Sequence, residues 1–406
     1  MSKSSEDTRI QTEYNAWKKN SPFSYDFIIS HPLPHTSLTL HCSTMFPRPH
    51  PQEPSLALHR LLFGTNYYST DPSSSFLSIA DVPIPALDDD PTISIIPKVE
   101  VTQNLVLDSE LEMARFMPQN PNIVCARTSS NNVFVFSCDK PQGDEFEPDL
   151  TLTGFDDDVR GHGGAGLAWH PKREGYIVSS NGHTIAWWDI LAMDTTYRKE
   201  IVPTHVYYYH LEFEKLIRDV QWNRKNENLL GAVDSEGELV IWDIRTNEIQ
   251  HFVKAHDSHE VNYLSFHPYK EWLLATASSD ATIGLFDMRK LKNRIHTLEG
   301  HTKKVCKVEW NINEESVLAS SGHDRRVIIW DINRIGDEIS RRESKAKRPP
   351  ELLFSHEGHK DKVTDFSWCD LEPWVISSVA RDHTLQVWKL SESIHGEDDG
   401  NDAIDD

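Results

Sequence analysis

The feature that most constrains this chain is a short ending that returns five times: IAWWDI (185 to 190), LVIWDIR (239 to 245), IGLFDMR (283 to 289), VIIWDIN (327 to 333) and LQVWKL (385 to 390). Each is a strand-like apolar run that closes on an aromatic, and in four of the five an Asp follows. From Trp188 the aromatic recurs at Trp242, Phe286, Trp330 and Trp388, at spacings of 54, 44, 44 and 58 residues. A fixed period of roughly 40 to 45 residues plus insertions means a repeated unit of four strands that buries its apolar face only against its neighbours. Matching beginnings precede the endings: GHGGAGLAWHP, AHDSHEVNYLSFHP, GHTKKVCKVEW and GHKDKVTDFSW. Strands at this density, with turns between them, predict an all-β chain of blades packed radially, a β-propeller.

Inside the repeat, His256, Asp280 and Phe286 are spaced like the His, Asp and aromatic that tie a blade's strands together by buried hydrogen bonds. His301, Asp324 and Trp330 repeat the pattern, as do His359, Asp382 and Trp388. These residues are therefore read as structural rather than catalytic. The blade ending at Trp188 has Gly182 where the Asp belongs, and is expected to be held less tightly. Upstream, ARFMPQNPNIVCARTSSNNVFVFSC reads as a degenerate blade ending at Phe136, and SLTLHC, LALHRLLFGTNY and SFLSIADVPI supply further strands. The count comes to about seven blades, with a strand near the N-terminus expected to pair with the C-terminal blade and so remove open sheet edges. Before them, Ile10, Tyr14 and Trp17 stand at helical spacing, which predicts a short amphipathic helix.

Composition narrows the function classes. No apolar run approaches the roughly 18 residues of a membrane span, and the first twenty residues lack an apolar signal core. The five cysteines (Cys42, Cys125, Cys138, Cys306, Cys369) are odd in number and without CxxC spacing, which favours a reducing compartment and predicts no zinc cage. Sixty-three acids against 41 Lys plus Arg give a formal net charge of -22. Such a surface repels nucleic acid and suits cationic partners. The acids gather at 88 to 90, 144 to 149, 156 to 158 and in the tail GEDDGNDAIDD. GHGGAG (161 to 166) satisfies GxGxxG, but it leads into the strand LAWHP rather than opening a helix. GxxxxGK[ST], HExxH and GxSxG do not occur, so no catalytic residue, cofactor or metal ligand is assigned.

EYNAWKKNSPFSYDF, ARFMPQNPNIV, VNYLSFHPYKEWLLATASSDATIGLFDMR, SSGHDRRVIIWDINRIGDE, PPELLFSHEGH and FSWCDLEPWVISSV together resemble, in order and over nearly the whole chain, the retinoblastoma-associated histone-binding WD-repeat family. The resemblance implies a seven-bladed WD40 propeller over 31–390, led in by a helix within 1–30. It further implies an insertion loop at 334–350 before the last blade, and an acidic tail over 391–406 that starts as a short helix and ends disordered. It also implies a non-catalytic scaffold for histones H3 and H4, serving acetyltransferase, deacetylase, chromatin assembly, remodelling, Polycomb or centromere-loading complexes. Such a protein is expected in the nucleus, with a cytoplasmic pool possible.

Two surfaces follow from the resemblance. A side groove for the first helix of histone H4 maps to Trp17, Phe23, Ser24, Leu352, Leu353, Phe354, Ile394 and the insertion loop. In the loop, RRESKAKR replaces the acidic stretch usual in the family, with Arg341, Arg342, Lys345, Lys347 and Arg348 beside a basic guest. Three readings of this run stand open: a loop that swings aside, a groove retuned for an acidic helix, or a nuclear import signal. The alternative to a histone scaffold is accordingly a diverged adaptor for a non-histone helix of a chromatin, centromere or ubiquitin-ligase complex. The second surface is the top of the ring, where acids hold a basic H3 or corepressor tail. Glu110, Glu112, Glu260 and Asn262 keep that character, whereas Arg218, Lys304 and Arg381 replace acids with bases, and ordinary H3-tail capture is not expected there.

Overall fold

A computed structural model describes residues 3–45, 47–53, 55–66, 75–85, 98–139, 147–155, 166–192, 199–208, 215–337 and 348–396. Its strands form seven sheets. Blade 1 spans 40–107, blade 2 111–152, blade 3 167–208, blade 4 217–254, blade 5 261–299, blade 6 305–356 and blade 7 363–390. Blade 7 takes its fourth strand, Tyr25–Pro32, from the N-terminus; it runs antiparallel to Thr384–Leu390 with Ile28 opposite Trp388. The expected ring closure is thus a continuous hydrogen-bonded ladder, and neither end of the ring is an open edge.

The core is divided rather than central. Seven clusters of buried apolar residues each lie between two neighbouring blades, for example Val317, Ile329, Phe366, Trp368, Ile376 and Trp388 between blades 6 and 7. Another, with Leu40, Leu61, Val82, Val375 and Val387, fills the seam between blades 7 and 1. Each fully buried large side chain contributes about 1.5–3 kcal/mol, so every blade depends on two neighbours and the ring holds as a whole.

The repeated His, Asp and aromatic meet as their spacing implies, through a residue that the spacing did not single out. His301 Nδ1 lies 2.9 Å from Asp324, its Nε2 lies 2.8 Å from Ser320 Oγ, and the Trp330 indole donates to the same hydroxyl at 2.8 Å. In blade 7 Ser378 does the same work, 2.8 Å from His359 Nε2 and 3.4 Å from the Trp388 indole, while Asp382 sits 3.5 Å from His359 Nδ1. Blade 5 substitutes Thr276, 2.8 Å from His256, and Asp280 lies 2.7 Å from the other ring nitrogen. Phe286 has no N–H, so this blade lacks the last bond. Each Asp also holds its turn: Thr282 N and Thr384 N donate to Asp280 and Asp382, and the residue after each Asp is left-handed (Ala281, φ 70; Arg325, φ 72; His383, φ 61). The blade ending at Trp188 uses another device. Gly182 takes the left-handed position (φ 54), and the Trp188 indole donates 3.2 Å to Thr153 O in blade 2.

Two elements are placed differently from their sequence description. The insertion at 334–350 interrupts blade 6 between its third strand, Val327–Asp331, and its outer strand, Leu352–His356, rather than separating two blades. Each sequence repeat ends on the third strand of a blade, which makes the fourth look like part of the next repeat. The N-terminal helix, α1, is also longer than expected, at 18 residues (Lys3–Asn20). Of its residues from Ser5 on, only Ile10, Tyr14 and Trp17 are partly buried, the three positions that the periodicity marks. A short second helix, α2, covers Glu392–His395. Arg341, Arg342, Lys345 and Lys347, and the acidic tail from 397, lie outside the described residues.

Candidate partner-helix groove

Helix α1 comes down the side of the ring and is fixed at its C-terminal end by a relay of polar contacts. The Trp17 indole donates to the Tyr25 hydroxyl at 3.0 Å, that hydroxyl is 2.7 Å from His356 Nδ1, and His356 Nε2 is 3.0 Å from Gln386 Oε1. The His356 ring stacks on Trp388, 4.4 Å between centroids and 6° between planes. Burial, reinforced by the nearby His359, holds the His356 imidazole well below its ordinary pKa, so it links blades 6 and 7 as a neutral ring. Gly358 permits this approach: a Cβ there would meet Gln386 Oε1 at 2.5 Å and the Trp17 ring at 2.7 Å. Further up, Glu13 pairs with Arg325, and Lys360 Nζ lies 4.1 Å over the Tyr14 ring.

Below this anchor the chain turns through a 3-10 segment, Ser21–Phe23, into the closing strand. Trp17, Leu353, Phe354 and Ile394 all pack partly buried against the core cluster between blades 6 and 7, and Phe354 meets Tyr25 edge-on at 5.5 Å. Leu352 is half-buried on the neighbouring cluster between blades 5 and 6. Ser24 O accepts the Ser391 N–H at 3.1 Å, which ties the 3-10 turn to the start of α2. The Trp374 ring stacks on His395 at 4.2 Å and fixes the other end of α2. Phe23 stands apart, 80% exposed beside this apolar floor. Leu352–His356 is the outer strand of its blade, so one edge of its backbone is unpaired between the two helices. A half-buried apolar floor, a bare aromatic and a strand edge make a side groove open to an amphipathic helix. Of the loop bases only Arg348 is described, and it is exposed.

The relay through Tyr25, His356 and Gln386 was missed by sequence reasoning. Tyr25 and His356 are 331 residues apart, and no spacing rule connects them.

At the top of the ring, where the inner strands begin, the acids that the sequence singled out are already engaged. Glu260 accepts from Arg218 at 2.7 Å and from Lys304 at 3.0 Å, so bases of blades 4 and 6 close over the acid of blade 5. Burial opposes charge on Glu260, but Lys304 and Arg218 outweigh it and hold the carboxyl below its usual range. Asn262 donates to Val305 O at 2.7 Å. Glu112 pairs at 3.0 Å with the buried Arg127, whose other nitrogens reach Ser179 and Asn181 across the boundary with blade 3. Glu110 and Arg381 are exposed. Burial, then Lys362, Lys304 and Arg381, push the His323 imidazole down to about 4, the signature of a basic rather than an acidic mouth over blades 6 and 7.

The fold and groove agree with comparison to known proteins. Residues 12–86, which carry the second half of α1, the exposed Phe23 and the closing strand, match the family model described as histone-binding protein RBBP4 or its counterpart in the CAF1 complex. Residues 247–287, 292–331 and 350–389 match the WD domain, G-beta repeat. WD-40 repeat-containing protein MSI3 of Arabidopsis thaliana is 48% identical over 403 residues, covering 96% of this chain and 92% of that protein. The chain therefore belongs to the RBBP4-type family of histone-binding WD-repeat proteins.

Proposed function

We propose that this protein is a non-catalytic histone-binding scaffold that takes the first helix of histone H4 in the side groove. It would thereby link H3/H4 to chromatin-modifying or assembly complexes in the nucleus. The observation that carries this reading is the coincidence of the family's histone-binding segment, residues 12–86, with an apolar floor of Trp17, Leu353, Phe354 and Ile394 beside the 80%-exposed Phe23. An amphipathic helix laid there covers Phe23 and completes the open edge of Leu352–His356 without any catalytic group being needed. The formal charge of -22 favours a basic guest over nucleic acid.

One observation favours a second reading, an adaptor for a non-histone helix. The basic run at 341 to 348 borders the groove in sequence, and like charges placed opposite a histone helix oppose binding. A titration of a labelled H4 first-helix peptide at two salt concentrations separates the readings. For a histone groove, Phe23→Ala or Phe354→Ala weakens binding at least tenfold, and changing Arg341, Arg342, Lys345, Lys347 and Arg348 together to Ser strengthens it. Failure of both loop forms to bind at micromolar concentration removes the H4 assignment and leaves the adaptor.

A further inference from the structure

At the seam where the ring closes, two cysteines from opposite ends of the chain face each other. The inner strand of blade 1, Leu40–Cys42, lies beside that of blade 7, Val363–Trp368, and side chains lace them. Leu40 N donates to Asp365 Oδ2 at 2.8 Å, Cys42 N to Ser367 Oγ at 3.1 Å, and Cys42 Sγ then lies 3.1 Å from Cys369 Sγ. The histone reading gives this rung no role. On the far side of Cys369, His59 Nδ1 is 3.5 Å from the sulfur, and His59 Nε2 is 3.4 Å from Glu372 Oε1. All four side chains are buried, with Cys42 at 5%, Cys369 at 3%, His59 at 2% and Glu372 at 9% exposure.

A thiol, a second sulfur, an imidazole and a carboxylate in a row divide the charge unequally. The hydrogen bond from Cys42, then that from His59, pull the Cys369 thiol down to about 6 against the effect of burial. Burial opposes charge on His59, but its contacts with Cys369 and Glu372 lift the imidazole to about 9. Cys42 is pushed well up, first by Cys369 and then by burial. Cys369 is therefore the nucleophile and Cys42 the neutral thiol beside it. Cys125, Cys138 and Cys306 have no such neighbours, and burial raises each of them. Reactivity follows the thiolate, so the five cysteines are not equivalent toward an oxidant.

We propose that Cys42 and Cys369 form a peroxide-sensitive pair that closes to an intramolecular disulfide and staples blade 1 to blade 7. The Cys369 thiolate attacks a hydroperoxide, the O–O bond breaks, and a sulfenic acid forms while the leaving oxygen takes a proton from the His59 imidazolium. The Cys42 sulfur then displaces the sulfenic hydroxyl, which departs as water with the Cys42 proton. In sum two thiols and one hydrogen peroxide give one disulfide and two waters, and the two electrons pass to the peroxide. Closing the sulfurs from 3.1 Å to a bond of about 2.05 Å requires an approach of only about 1 Å between strands already laced together. The bond would span 326 intervening residues and convert the ring's side-chain closure at this seam into a covalent one.

The test uses the full chain, folded, treated with a few equivalents of hydrogen peroxide at pH 7. It is then denatured, alkylated, and mapped as peptides without reductant. The expected result is a 42–369 cross-linked peptide, with Cys125, Cys138 and Cys306 alkylated, and a melting temperature raised by about 5 °C that reductant reverses. Cys42→Ser should leave Cys369 as a dimedone-trappable sulfenic acid, whereas Cys369→Ser should leave Cys42 unoxidised. Oxidation confined to the half-buried Cys306, with 42 and 369 recovered as alkylated thiols in the wild-type protein, overturns the proposal, and this readout needs no variant to fold.

Discussion

Two aspartates hold the same place in different blades. Asp219 in blade 4 stands three residues before Trp222, and Asp365 in blade 7 three before Trp368. Each reaches into the next inner strand and accepts a backbone N–H, that of Leu264 at 3.0 Å and that of Leu40 at 2.8 Å. Both are buried, at 0% and 4% exposure. They differ in what stands across the central channel. Lys307 Nζ lies 3.0 Å from Asp365 and Arg115 lies 3.5 Å from it, whereas Asp219 has, besides Leu264 and among the described residues, the Gln221 amide at 3.2 Å. Burial without a paired cation pushes the Asp219 carboxyl up to about 7. One stitch between blades is thus an ion pair, and its counterpart hovers near neutrality. The lesson is that an identical residue in an identical repeat position takes its charge from other blades.

The largest expected break is Asp365→Ala. It removes the Leu40 stitch and strips Lys307 and Arg115 of their shared carboxylate, which costs about 3–5 kcal/mol when a buried charge is left uncompensated. The urea midpoint should fall accordingly with an unchanged m-value. A loss below about 1 kcal/mol would mean that Glu309, 3.2 Å from Lys307, already suffices and that the contrast with Asp219 is empty.

Asp219→Asn comes next and acts in the opposite direction. The Asp219 pKa is about 7 in the folded chain and ~3.9 in the unfolded one, so between these values the folded state holds the extra proton. This group therefore contributes full stability below pH ~4 and loses it as pH rises toward 7. Asn keeps the shape without the charge, so it should flatten that slope and stabilise the protein above pH 7 by roughly 1–3 kcal/mol. Denaturant titrations at pH 5 and pH 8 decide the matter; an unchanged difference between the two would show Asp219 ionised like Asp365.

Two smaller effects extend the comparison away from the channel. Trp330→Phe imitates blade 5 by deleting the indole bond to Ser320, and should cost about 1 kcal/mol while His301 keeps its own bond to that hydroxyl. A loss of 3 kcal/mol or more would make the indole, rather than His and Asp, the tie that holds these blades. Glu260→Gln at the ring's mouth should be smallest, within about 0.5 kcal/mol in thermal or urea unfolding, because Arg218 and Lys304 both reach water there. A larger loss would place the mouth in the same energetic class as the channel.

The blades were legible because strand endings, turns and aromatic spacing are local properties repeated with a period. The same locality misled at the insertion, where the repeat ends on the third strand and hides that Leu352–His356 still belongs to blade 6. Ser320, Ser378 and Thr276 were passed over because serine and threonine are common in strands, and only the positions opposite His and the aromatic give them their role. In the groove, Trp17 was marked by helical spacing, while its partners Tyr25, His356 and Gln386 come together only when the last blade borrows its fourth strand from the N-terminus. At the ring's mouth the sequence counted Glu260 as an available acid, but two neighbouring blades neutralise it.

The sequence by itself determined the all-β class, the radial repeat, the N-terminal helix and its buried stripe, and the family, since each follows from patterns within about one repeat length. Only the tertiary structure decided which charges are satisfied and which aspartate is near neutral. It also decided that Cys42 and Cys369 lie sulfur to sulfur. These properties depend on burial and on groups brought together from distant blades, and electrostatic energy is set by distance in space rather than along the chain.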